Sequence, residues 1–177
     1  MNSIHIDEFG IASMARQIAS PNQDLRPENS RIELVVIHNI SLPPRQYGGD
    51  GVIALFTNKL DPQAHPYYAE IHQLRVSSHF FIRRDGSLLQ FVPCSQRAWH
   101  AGASSWQGRE RCNDFSVGIE LEGSDFDAFA VPQYATLNSL LAALRLAYPI
   151  TDIVGHSDIA PGRKTDPGPY FDWSQVA

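Results

Sequence analysis

The spacing of apolar positions along this chain changes several times, and each change predicts an element. Ile32 to Ile37 is a β-branched, apolar run, the pattern of a strand buried on both faces. His38 stands at its C-terminal end. Ser116 to Leu121 alternates instead: Val117, Ile119 and Leu121 share one face, and Ser116, Gly118 and Glu120 share the other. Ser78 to Arg84 and Ser87 to Val92 flank Asp85-Gly86, a hairpin signal. Tyr134, Leu137, Leu140, Leu141, Leu144 and Tyr148 recur at helical spacing between Pro132 and Pro149, which predicts the main helix. Shorter helices are expected within Val52 to Leu60 and from His65-Pro66 to Arg75. Asp152 to Val154 reads as a last strand that delivers His156 to a sheet edge. The expected fold is α/β, a single domain with a central mixed β-sheet flanked by helices.

The 177 residues fit one domain with a substantial core. Residues 20–30 are polar, with two prolines, so residues 1–30 read as a lead-in and 31–177 as the domain proper. The formal charge of −5 argues against general nucleic-acid binding, which needs a basic footprint. Arg75, Arg83, Arg84, Arg97, Arg109 and Arg111 nevertheless fall in the middle of an acidic chain. The ordinary reading is solvated arginines; the sharper one is a subset lining a pocket for an anionic ligand. Cys94 and Cys112 form no C-x-x-C pair and read as reduced thiols, not zinc ligands. Met1 to Gly10 lacks the pattern of a secretory signal, and no stretch reaches transmembrane length. The expectation is a cytoplasmic monomer with no membrane partner.

Candidate chemistry is densest in Gly155 to Pro169, where His156, Lys164 and Asp166 lie among prolines and glycines. Such a segment cannot be a long helix or a central strand, so tertiary contacts or a bridging ion must hold it. His156 and Asp166 are candidate metal ligands, with His38 as the third. Two imidazoles and a carboxylate suit a catalytic zinc that keeps one position open. His5, His65, His72, His79 and His100 compete for the role, but none has a partner in sequence as good as His156 has in Asp166. Glu120 shares its face with the small Ser116 and Gly118, which leave room for a ligand, so it is a candidate general base. Glu122 points the same way, and periodicity alone does not choose between them. Lys164 lies two residues before Asp166, where a cation can stabilise an oxyanion.

Five stretches in order carry a resemblance: VVIHNISLPP (35–44), SHFFIRRDG (78–86), RAWHAG (97–102), WQGRERCNDFSVGIELEG (106–123) and HSDIAPGRKTDPGP (156–169). Together they resemble the zinc-dependent N-acetylmuramoyl-L-alanine amidases, a family that includes phage amidase lysozymes and the peptidoglycan recognition proteins. The resemblance runs from about residue 31 to the C-terminus. It implies Zn2+ held by His38, His156 and Asp166, selects Glu120 as the catalytic carboxylate and gives Lys164 the oxyanion role. It further implies that Asn39, Arg75, Trp99, His100 and Arg111 contact a muropeptide. Many relatives carry cysteine where Asp166 stands; in its aspartate the chain resembles the members of the family that act in peptidoglycan recycling. The implied reaction is hydrolysis of the amide between the lactyl group of 1,6-anhydro-N-acetylmuramic acid and L-alanine. The first thirty residues match poorly.

Overall fold

The computed structural model describes residues 3–177. Ten strands and four α-helices follow one another in the order β1 (Arg16–Gln17), β2 (Gln23–Leu25), β3 (Leu34–Ile40), α1 (Gly51–Phe56), α2 (Pro66–Ile71), β4 (Phe80–Ile82), β5 (Leu88–Gln90), β6 (Gln96–Ala98), β7 (Ser105–Trp106), β8 (Arg109–Glu110), β9 (Ser116–Glu122), α3 (Val131–Ala147), β10 (Asp152–Gly155) and α4 (His156–Ile159). Six strands form one sheet in the order β1-β5-β4-β9-β3-β10. Strands β10, β3, β9 and β4 run parallel, β4 and β5 form the antiparallel hairpin, and β1 runs parallel to β5. The sheet is therefore mixed, as expected. Gly86 takes φ +84° in the hairpin turn, a conformation glycine adopts without steric cost.

Burial on both faces explains the apolar character of the central strands. Val35 and Ile37 of β3 and Val117, Ile119 and Leu121 of β9 pack with Leu137, Leu140, Leu141 and Leu144 of α3. On the opposite face, Phe81 and Leu89 pack with Val52, Leu55 and Phe56 of α1 and Tyr68 of α2. Beyond them, Leu34 and Val36 meet Ala101, Phe115 and Ile159. The alternation of β3 and β9 thus commits odd positions to α3 and leaves His38, Gly118 and Glu120 on the other side. There α1, α2 and the long loops stop short of closing the sheet.

Residues 3–30, which hold the stretch 20–30 expected as an extended lead-in, are bound into the fold. Strand β1 forms the sheet edge, β2 pairs antiparallel with β6, and Ile6 and Ala12 join the core. Arg26 is the main fastener. Its guanidinium donates to the carbonyls of Cys94 (3.0 Å), Asn113 (3.1 Å), Asp114 (3.1 Å) and Ser116 (2.8 Å). Burial lowers its pKa to about 10, so it stays charged at neutral pH. Arg26→Ala strips hydrogen bonds from buried carbonyls that have little access to water. We expect a loss of ~2–4 kcal/mol of stability, or a fall in Tm of roughly 4–16 °C. Thermal unfolding followed by circular dichroism checks this.

Most arginines singled out by sequence are structural. Arg97 holds Asp24 at 2.7 Å through two nitrogens and also pairs with Asp114. Arg109 pairs with Glu33 at 2.6 Å and stacks 3.8 Å from the Phe115 ring centroid. Arg83 reaches Asp50 at 2.9 Å, and Arg84 donates to the Ala128 carbonyl. Among the described residues no helix is long and apolar enough to cross a membrane. Cys94 and Cys112 are buried free thiols, and burial raises Cys94 to about 12, so neither is a ready thiolate.

Candidate metal centre

Three side chains from distant parts of the chain converge on the open face of the sheet. His38 comes from β3, His156 opens α4 directly after β10, and Asp166 follows in the loop. The register makes this possible: β10 lies beside β3 and ends with Gly155 opposite Ile37, so the residue that follows each of these is a histidine, His156 and His38. His38 Nδ1 lies 3.0 Å from His156 Nδ1 and 2.9 Å from Asp166 Oδ2. His156 Nδ1 lies 3.1 Å from the same carboxylate oxygen. Burial pushes the Asp166 carboxyl up, but its close contacts with His156 and His38 outweigh this and hold it well below the usual range.

This arrangement fits a small cation. One donor atom from each residue lies within 4.8 Å of the others. Tetrahedral zinc with ligands at 2.0–2.2 Å places its donors roughly 3.3 Å apart, close to the separations found. Two imidazole nitrogens facing each other beside a carboxylate form a cluster of lone pairs that a divalent ion would satisfy together. His156 Nε2 lies 3.0 Å from the Ala101 carbonyl. A carbonyl only accepts, so the proton sits on Nε2 and the Nδ1 lone pair is left for a metal.

Glu120 stands beside this trio. Parallel pairing sets it directly opposite His38 in the ladder, about one strand spacing (~4.8 Å) away. Its Oε2 is buried with no hydrogen-bond partner. Burial raises its pKa well above the ordinary value; the charge of Asp166 adds to this and Lys164 opposes it. Glu122, on the same face, has another task. It accepts from the backbone N–H of Gly48 (2.6 Å) and of Arg84 (3.1 Å), and so ties two loops to the sheet. The structure thereby separates two carboxylates that periodicity left equivalent: Glu122 is saturated and Glu120 is not.

A cleft of about 600 Å³ lies over the trio, and His38, Glu120, His156, Lys164 and Asp166 all line it. Lys164 is exposed and lines this cleft and an adjoining cavity of about 220 Å³. Trp99 and His100 line both, and Arg75 lines the smaller one. Asn39 lines the cleft while donating to Asp125 Oδ1 (2.7 Å) and to the Pro167 carbonyl (3.0 Å). Asp125 also accepts from the Thr165 hydroxyl. One carboxylate therefore latches the neighbour of His38 to the neighbour of Asp166, a role with no signal in the sequence. Arg111 is not brought to the cleft. It pairs with Asp114 at 3.3 Å and lines a separate depression with Glu110 and Ile159. His79 is buried: it accepts from the Gly118 N–H at 3.0 Å, and burial lowers it to about 3. His65 caps α2 by accepting from the Tyr67 N–H at 3.1 Å.

Residues 28–169 match the family model described as N-acetylmuramoyl-L-alanine amidase. The chain belongs to this amidase family and is an enzyme of that class. It is 56% identical over 163 residues to the 1,6-anhydro-N-acetylmuramyl-L-alanine amidase AmpD of Escherichia coli strain K12, covering 91% of this chain and 89% of that one. A crystal structure of a selenomethionine AmpD derivative superposes with a TM-score of 0.93 at 53% identity, over 96% of this chain and 98% of that chain. The E. coli amidase AmiD, solved with the substrate anhydro-N-acetylmuramic acid-L-Ala-D-gamma-Glu-L-Lys, gives a TM-score of 0.60 at 29% identity. That match covers 98% of this chain and 64% of that one.

Proposed function

We propose that this amidase cleaves the amide between the lactyl group of 1,6-anhydro-N-acetylmuramic acid and L-alanine, with zinc held by His38, His156 and Asp166. The observation that carries the reading is an unpartnered buried carboxylate, Glu120, which pairs with His38 across the ladder and lines the same cleft as three residues able to hold a metal ion. Likeness to AmpD over nearly the whole chain supports the anhydro-sugar substrate.

Zinc held by the trio would supply a Lewis acid that acidifies a water and polarises the scissile carbonyl. Glu120 takes the proton of the attacking water and passes it to the nitrogen of the departing alanine. The raised pKa suits both halves of this transfer. As the new carbon–oxygen bond forms, negative charge gathers on the carbonyl oxygen, and the carbonyl is restored when the carbon–nitrogen bond breaks. Lys164, free of any ion pair among the described residues, stabilises that charge. The lactyl carboxylate and the free amine of the peptide leave. In the adjoining cavity Arg75 is placed to meet a carboxylate of the stem peptide, and Trp99 offers an apolar face between the two cavities. Asn39 and His100 line the cleft below.

Lys164→Ala should lower kcat about 10²–10³-fold, the usual cost of losing one such donor, with bound zinc unchanged. Steady-state kinetics paired with metal analysis separates that result from loss of the ion. The substrate assignment is tested by mass spectrometry of products from an anhydro-muramyl tripeptide and from intact sacculi. Release of tripeptide from the anhydro substrate, abolished by a chelator and restored by zinc, is the expected result. Efficient release from sacculi with none from the soluble fragment would assign the enzyme to polymeric wall instead.

A further inference from the structure

We propose that His100 is a positioning residue for the metal centre: it holds His38 in the single tautomer that leaves Nδ1 free to bind a cation. This inference rests on the zinc reading above. His38 Nδ1 faces His156 and Asp166, while its other nitrogen, Nε2, lies 2.9 Å from His100 Nδ1. Two ring nitrogens at that distance share one proton. If His100 donated it, a neutral His38 would have to carry its own proton on Nδ1, in the place of the metal. If His38 donates it, Nδ1 keeps its lone pair.

The surroundings of His100 accommodate the second arrangement, because the Ser116 hydroxyl can accept as well as donate. Accepting at Nδ1 puts its own proton on Nε2, which lies 3.1 Å from Ser116 Oγ, so His38, His100 and Ser116 form one directional chain. The next residue treats the second ligand in the same way. The Ala101 carbonyl takes the proton of His156 Nε2 at 3.0 Å. Consecutive residues 100 and 101 thus set the tautomers of both histidines. They are themselves anchored, because both backbone N–H groups donate to Asn113 Oδ1 at 3.1 and 2.9 Å.

Gly118 makes room for this. It sits in the middle of a fully buried strand, where a glycine weakens the sheet and often marks a close approach. A Cβ there would run into the His100 ring. The missing side chain at position 118 is the seat of the imidazole, so His100 lies beneath the metal ligands as well as lining the cleft.

The test is zinc affinity, measured by competition with a chromogenic chelator, for the parent protein, His100→Leu, His100→Asn and Gly118→Ala. Asparagine places its Oδ1 near the site of the imidazole Nδ1 and can still accept from His38; leucine fills space without accepting. We expect His100→Leu and Gly118→Ala to weaken zinc about 10- to 100-fold, the usual cost of losing an outer partner of a ligand, and His100→Asn to recover most of the loss. Nitrogen-15 NMR of the zinc-loaded parent should show the proton on His38 Nε2, coupled across the hydrogen bond to His100 Nδ1. Parent-like affinity in His100→Leu would overturn the proposal, as would equal losses in the leucine and asparagine variants, which would mean packing alone. An NMR signature with His38 Nε2 unprotonated would overturn it even if the leucine variant failed to fold. A parent that binds no zinc would overturn the metal reading itself.

Discussion

Glu120→Gln should abolish most turnover, lowering kcat about 10²–10⁴-fold, while zinc content and KM stay near the parent values. Glutamine has the size and shape of glutamate but cannot take a proton from water. Glu120 is 9% exposed and its Oε2 has no partner, so the parent maintains a desolvated carboxylate at a cost to stability. The variant should consequently unfold at a temperature no lower than the parent. Inactivity joined to undiminished stability distinguishes a group kept for chemistry from one kept for the fold. Near-normal turnover in Glu120→Gln would remove the base assignment.

The second large effect concerns Asp166. Asp166→Ala removes the one carboxylate of the proposed ligand set and leaves two imidazoles facing each other at 3.0 Å. We expect turnover to fall roughly 10³-fold or more, in line with the several kcal/mol that a Lewis acid contributes. The variant should also lose a thermodynamic response. Zinc at about 1,000 times its Kd stabilises a protein that binds it only when folded by about 4 kcal/mol. The parent should show that rise in unfolding free energy and Asp166→Ala should not. Thermal scans with and without added zinc make the comparison. An equal zinc-dependent rise in both would place the ion elsewhere.

The convergence of His38, His156 and Asp166 was legible in part, because each candidate ligand occupies a position with a local signal, and the family resemblance completed the set. His38 ends a buried apolar run, and His156 and Asp166 lie in a segment too rich in proline and glycine to hold its own shape. The alternation of residues 116–121 correctly placed Glu120 on the open face of the sheet. It could not separate Glu120 from Glu122, because the difference lies in partners. The backbone amides of Gly48 and Arg84 come from loops remote in sequence, and nothing near position 122 announces them. Short strands were invisible for a related reason. Strands β1, β2, β7 and β8 have two or three residues each, too few to display a period of two. They exist because β5 receives β1, β6 receives β2, and β7 and β8 pair with each other.

Charged residues were the least legible. Arg26 lies in a polar, proline-containing stretch that reads as solvated chain, yet it is the most extensively bonded arginine, since four carbonyls converge where it enters the fold. Arg97 and Arg109, by contrast, belonged to a group that included candidates for binding an anion, and each has an acidic partner inside the fold. A sequence shows that a charge is present; only the fold shows whether a neighbour has already satisfied it. Arg111 illustrates the same limit. A motif of the family contains it, but its side chain is engaged with Asp114, away from the cleft.

The most direct measurement is an X-ray structure of the zinc-loaded enzyme with anomalous data collected on both sides of the zinc absorption edge. One peak should appear, enclosed by Nδ1 of His38, Nδ1 of His156 and a carboxylate oxygen of Asp166, with Glu120 beside it and not bonded to the ion. A peak held by other side chains, or a zinc bound directly by Glu120, would contradict the account.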